Sequence, residues 1–161
     1  MKKKIGVINL TNDTYLSDPC YGTDTKFNDV IATIPGEYNV YITRSESKDD
    51  FFKNRISSII AIHKDYVKTQ KHYPYHRKYN IACGVDSGTC GIFDADYFEK
   101  HHDNLGVEDE WYDNNVIQMT DYKITDGLGV ICSSGVGDGY YPVYMELTDT
   151  NEAFAIRIKF L

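Results

Sequence analysis

The sequence predicts a mainly β chain: an antiparallel β-sandwich, or a curled antiparallel sheet, with one or two short helices against it. Three observations carry that prediction. Segments rich in β-branched and aromatic residues recur along the 161 residues and end at turn-forming residues. In Ala153–Phe160, Phe154, Ile156, Ile158 and Phe160 alternate with Ala155, Arg157 and Lys159, the period-2 pattern of a strand with one buried face. Helical and strand-like segments do not alternate regularly, which argues against a parallel α/β arrangement.

Taken in order, Ile5–Leu10 and Tyr38–Thr43 read as strands. Arg55–His63 is a nearly continuous apolar run (Ile56, Ile59, Ile60, Ala61, Ile62), too short for periodicity to separate strand from helix. Asn80–Val85, Thr89–Phe93, Leu128–Cys132 and Tyr140–Leu147 follow as further strands, ahead of Ala153–Phe160. Two helices are expected. Asp94–Glu99 opens on carboxylates, which cap a helix start and favour its dipole. Glu108–Met119 spaces Trp111, Val116 and Met119 at roughly helical intervals after an acidic first turn. Ser45–Asp50 and Thr69–Lys78 read as exposed loops. There is no internal repeat or low-complexity linker, so residues 1–161 are expected to form a single domain, long enough to bury roughly two-thirds of the unfolded surface.

Hydrophobic residues make up 42% and charged residues 25%, the balance of a globular chain rather than a disordered one. The 14 tyrosines stand out. A compositional bias toward Asn, Lys, Ile and Tyr accounts for much of that number, although tyrosine also suits wet binding surfaces. The net charge of −7 argues against a general nucleic-acid or anionic-membrane binder. Charge is unevenly placed: His63–Lys78 carries +4, while Asp86–Asp126 carries −9. These runs read first as solvated faces, with a basic loop for one anionic group as the functional alternative. Met1-Lys2-Lys3-Lys4 precedes too short an apolar run for a secretory signal, and no stretch approaches the length of a membrane helix. The four cysteines show no Cys-x-x-Cys pair and are expected as reduced, mostly core thiols in a cytoplasmic protein.

The most distinctive stretch is Ser133-Ser134-Gly135-Val136-Gly137-Asp138-Gly139, between two strand-like runs. Its glycines permit positive φ, and successive N–H groups in such turns form a nest for an anion. Asp138 would instead bind a cation or cap the turn, and an ordinary turn is the plainest reading. It lacks the Lys-Ser/Thr and following helix of a nucleotide fingerprint. Asp86-Ser87-Gly88-Thr89 matches the aspartic-protease tetrad, but that chemistry needs two aspartates sharing a proton about 3 Å apart. A homodimer would have to supply the second, and Asp-Ser-Gly is a common turn. His72 and His76 flank Pro74, which disfavours a shared helix, and His101 and His102 are adjacent. Asp94-x-Asp96 lacks the glycine and distal Glu of a calcium loop and reads as a helix cap. No zinc spacing is present, Ser133 and Ser134 lack the Gly-x-Ser-x-Gly elbow, and Cys20 has no recognisable His partner. No catalytic set, metal or cofactor is therefore expected.

Asp18-Pro19-Cys20-Tyr21, Val85-Asp86-Ser87-Gly88 leading into Gly91–Phe98, and Ser133–Tyr144 together resemble domain of unknown function 4241, found in bacteria and their phages. The similarity spans about Asp18 to the C-terminus and implies no known reaction, cofactor or catalytic residue. The basic His63–Lys78 stretch and the Lys-rich start lie outside that pattern.

The leading expectation is a non-catalytic binding protein for a small anionic ligand, held by Ser133, Ser134, Gly135, Gly137, Asp138, Gly139, Tyr140, Asp86, Ser87 and Arg77. Small phage proteins that sequester nucleotide immune signals fit the same description by analogy, which would place the chain in the host cytoplasm. The alternatives are an immunity or regulatory module that offers the acidic face around Glu108–Asp113 to a protein partner, and a hydrolase, dimeric or metal-assisted, using Asp86, Asp94, Asp96 and Asp138. A homo-oligomer is compatible with each.

Overall fold

A computed structural model of the chain describes residues 1–23, 29–66, 81–102 and 109–161. The strands are β1 (Lys2–Leu10), β2 (Asp13–Ser17), β3 (Asp29–Ala32), β4 (Gly36–Arg44), β5 (Ile56–His63), β6 (Ala82–Val85), β7 (Thr89–Asp94), β8 (Tyr122–Thr125), β9 (Gly129–Ser133), β10 (Gly139–Leu147) and β11 (Ala153–Lys159). Helix α1 spans Ala95–His102, and α2 (Glu110–Tyr112) runs straight into a π-helical turn, Asp113–Ile117. One sheet has the order β1-β4-β5-β11-β10-β6 and the other β3-β2-β7-β9-β8, with antiparallel neighbours throughout. The fold is thus the predicted β-rich sandwich.

Alternation on the strands builds two cores. Tyr38, Val40, Ile42, Ile59 and Ile156 of the first sheet meet Leu16, Ile92 and Val130 of the second in the space between them. The neighbours Tyr15, Phe93 and Ile131 point the other way, where Tyr97 and Phe98 of α1 and Trp111 of α2 cover them. The helices therefore form a third layer on the outer face of the second sheet. Burying each such side chain contributes about 1.5–3 kcal/mol. The Phe93 ring lies over Gly91 and Gly129, where an added Cβ would come within 2.3 Å and 2.6 Å of ring atoms. These glycines leave room for the ring.

Arg55–His63, ambiguous by period, supplies strand β5 at the middle of its sheet. Strands β2, β3 and β8 were not anticipated. In β2, Thr14 and Ser17 are fully buried, and Thr14 Oγ1 hydrogen-bonds Thr33 Oγ1 at 2.8 Å, so polar residues occupy interior positions. The helix expected over Glu108–Met119 is a single α turn followed by a π turn, with Glu108 outside the described residues. The helix expected at Asp94–Glu99 begins at Ala95 and reaches His102. Asp94 caps it as expected: its Oδ1 accepts from Tyr97 N–H at 3.3 Å, while Oδ2 accepts from Thr11 N–H and Oγ–H at 2.9 and 2.6 Å. The alternation along β11 breaks at Phe154. Glu146 faces Ala155 and Leu147 faces Ala153, so Phe154 is the extra residue of a bulge and packs on Tyr66 instead of the core.

Candidate functional site

At one end of the sandwich two loops meet at Asp18 and a third docks on them. The segment after β2 begins with Asp18-Pro19, and Cys20 N–H donates back to Asp18 Oδ1 at 2.8 Å, an Asx turn. The β6–β7 connection then supplies three more donors. Asp86 N–H and Ser87 N–H reach Oδ2 at 2.7 and 2.6 Å, and Ser87 Oγ–H reaches Oδ1 at 2.7 Å. Asp18 is fully buried, and these four bonds fall two on each carboxylate oxygen. The two successive N–H groups of Asp86 and Ser87 cradle a carboxylate, in the β6–β7 turn and not in the Ser133–Gly139 stretch where an anion nest was expected, and the anion they hold is the chain's own.

The third loop docks on the second. Ser134 N–H donates to Gly88 O at 2.9 Å, and the β6–β10 ladder pairs Gly139 with Val85 and Tyr140 with Gly84. Within the loop, Ser134 Oγ–H and Tyr141 O–H both donate to Gly137 O, at 2.6 and 2.7 Å. From the residue just before β5, the Arg55 guanidinium donates to Gly135 O at 2.8 Å. Gly135 has φ +73°, and an added Cβ would lie 2.6 Å from Ile56 O, so only glycine fits.

The structure therefore brings Ser133, Ser134, Gly135, Gly137, Asp138, Gly139, Tyr140, Asp86 and Ser87 to one place, while Arg77 lies outside the described residues. Ser134 and Gly135 are buried framework, whereas Val136, Asp138, Tyr140 and Asp86 face outward. Asp18 and Tyr21 belong to the first of the motifs that resemble the family but were not among the expected ligand residues. The Asp-Pro turn was the available signal for Asp18, but its burial is a tertiary fact.

The acidic surroundings set the chemistry of the loop end. Burial, then Asp18 as hydrogen-bond partner and charge, pushes the Cys20 thiol up to about 12. Burial and the charges of Asp86 and Asp18 push Tyr21 up to about 12 as well. A thiol held protonated is a poor nucleophile and a poor soft-metal ligand. Among the described residues no group of three or more His, Cys, Asp or Glu is placed to hold a metal ion. Of the aspartates considered for metal-assisted hydrolysis, Asp94 is committed to Thr11 and to α1. His72 and His76 lie outside the described residues.

The acidic segment at α2 does not present its tryptophan. Trp111 is 9% exposed, and its Nε1–H donates to Tyr97 O–H at 2.7 Å, which in turn donates to Asp126 at 2.6 Å. A cleft of about 270 Å³ lies elsewhere, against Met1, Lys3, Arg44 and Asn54, and contains no motif residue.

The family described as protein of unknown function DUF4241 matches residues 10–158, so the chain belongs to that family. No curated protein and no solved structure matches. Among the described residues no helix is long and apolar enough to cross a membrane.

Proposed function

We propose that this member of the DUF4241 family is a non-catalytic binding protein, and that its ligand meets the end of the sandwich where the three loops join. The single observation behind this reading is the Asp18 hub. A fully buried carboxylate spends four hydrogen bonds on holding the Cys20 and Asp86–Ser87 backbone, and so pre-shapes an outward surface of Asp86, Val136, Asp138 and Tyr140. Pre-organisation of this kind lowers the ordering cost of binding. It leaves the thiol and hydroxyls at the hub occupied or protonated, which suits binding better than catalysis.

The ligand class we favour is a small molecule with one anionic group, received at the glycine turn. The Gly137 and Asp138 N–H groups have no acceptor among the described residues, and Tyr140, 68% exposed, offers a ring for stacking. A nucleotide has both features. A second reading is favoured by the exposed Asp86 and Asp138 beside Tyr140: a basic segment of a protein partner would find acids flanking an aromatic.

Native mass spectrometry of gently purified protein, beside its denatured mass, tests the proposal. A small mass lost on denaturation, and lost again in Tyr140→Ala, is the expected result. A bare chain that also gains no mass from added nucleotides would remove the small-ligand reading and leave the protein partner, to be sought by pull-down with Asp86→Lys as the control.

A further inference from the structure

We propose that Cys83 and Cys90 form a redox pair that closes to a disulfide across the interior of the sandwich, with hydrogen peroxide as the oxidant. Cys83 stands on β6 in the first sheet and Cys90 on β7 in the second, and both are fully buried in the core between the sheets. Their Sγ atoms are 2.7 Å apart, closer than two non-bonded sulfurs pack. A disulfide needs about 2.0 Å, so the bond closes with a shift of under about 1 Å. Both thiols are free in the structure.

The chemistry is a two-electron oxidation. One thiolate attacks a peroxide oxygen and the O–O bond breaks, leaving a sulfenic acid and one water. The second thiolate attacks the sulfenic sulfur, expels the oxygen as a second water and forms the S–S bond. In sum, two thiols lose two protons and two electrons, and one peroxide becomes two waters.

Access comes from the edge. Among the described residues β6 is the last strand of its sheet and pairs only with β10, so parting one ladder uncovers Cys83. Burial and the adjoining sulfurs hold the Cys90 thiol well above its ordinary range, so oxidation follows local opening and is slow. Cys132, the register partner of Cys90 on β9, is the competing thiol in the same core. A Cys83–Cys90 bond would tie the two sheets together at the root of the Asp86–Gly88 turn. The inference is independent of what the loop end binds.

The test is to oxidise the full chain with hydrogen peroxide, quench it, denature, alkylate and weigh it before and after tryptic digestion. Residues 79–100 form one tryptic peptide that holds both cysteines, while Cys132 lies on another. Two alkylated thiols instead of four, with the 79–100 peptide lighter by two hydrogens, is the expected result. The same loss should persist in Cys132→Ala and vanish in Cys83→Ser. Four alkylated thiols at every peroxide dose, or a link joining this peptide to that of Cys132, would overturn the pairing.

Discussion

At the scale of single residues, the aspartate that organises the loop end is also the one whose loss should cost most. Asp18 is fully buried and accepts from Cys20 N–H, Asp86 N–H, Ser87 N–H and Ser87 Oγ–H. Hydrogen bonds to a charged group are worth more than neutral ones, and removing one partner orphans the rest. Asp18→Ala leaves three backbone donors without an acceptor and should cost about 3–5 kcal/mol, read from the midpoint of urea unfolding. Asp18→Asn should cost nearly as much, because an amide turns donors toward donors. A loss under about 1 kcal/mol for either variant would mean that the loops hold themselves. Asp18-Pro19-Cys20 carries the residue signature of a turn, which the structure makes an Asx turn. The second half of the hub was not legible, since 68 residues separate Asp18 from Asp86 and no local pattern links them.

At the scale of elements, α1 carries a pH dependence. The His102 ring stacks on Phe98 at 3.8 Å, and its nitrogens lie 2.8 Å from Phe98 O and 3.1 Å from Pro19 O. The second contact ties α1 to the segment that carries Asp18. Burial pulls His102 below its ordinary value of 6.5, outweighing the two carbonyls and Asp109, which act the other way, while His101 adds to the lowering. The unfolded chain then binds the proton more readily, so stability is full above about 6.5 and is lost as pH falls toward the folded value. The unfolding midpoint should therefore drop between pH 7.5 and 5.5, and His102→Phe should flatten that slope. An equal slope in the variant would place the titration elsewhere. Helix α1 itself was legible from its acidic start. Strand β8 was missed although its signal was present: Asp126-Gly127, with φ of +50° and +68°, are the central residues of the turn in the three-residue connection that joins β8 to β9. Strand β2 was masked for a different reason, because its interior positions include Thr14 and Ser17, which a hydrophobic pattern cannot register.

At the scale of the whole molecule, the order of strands in the first sheet makes the last strand a central one. β10 and β11 form a local hairpin closed by Thr148–Glu152, but β11 also pairs with β5, about 95 residues earlier along the chain. The alternation of Ile156 and Ile158 identified a strand with a buried face. Nothing in it named β5 as the partner, because every apolar strand of the chain offers the same pleated surface. The consequence is sharp. Ile156 and Ile158 are fully buried, and deleting residues 153–161 would strip the ladders of β5 and β10 together and open the core between the sheets. Each lost core side chain costs about 2–5 kcal/mol, against a total stability of about 5–15 kcal/mol, so the shortened chain should not fold. It should lack the cooperative unfolding transition of the full chain by circular dichroism. A shortened chain that keeps both strand signal and cooperativity would show that β5 and β10 can close on each other, and that β11 completes the sheet without being required for it.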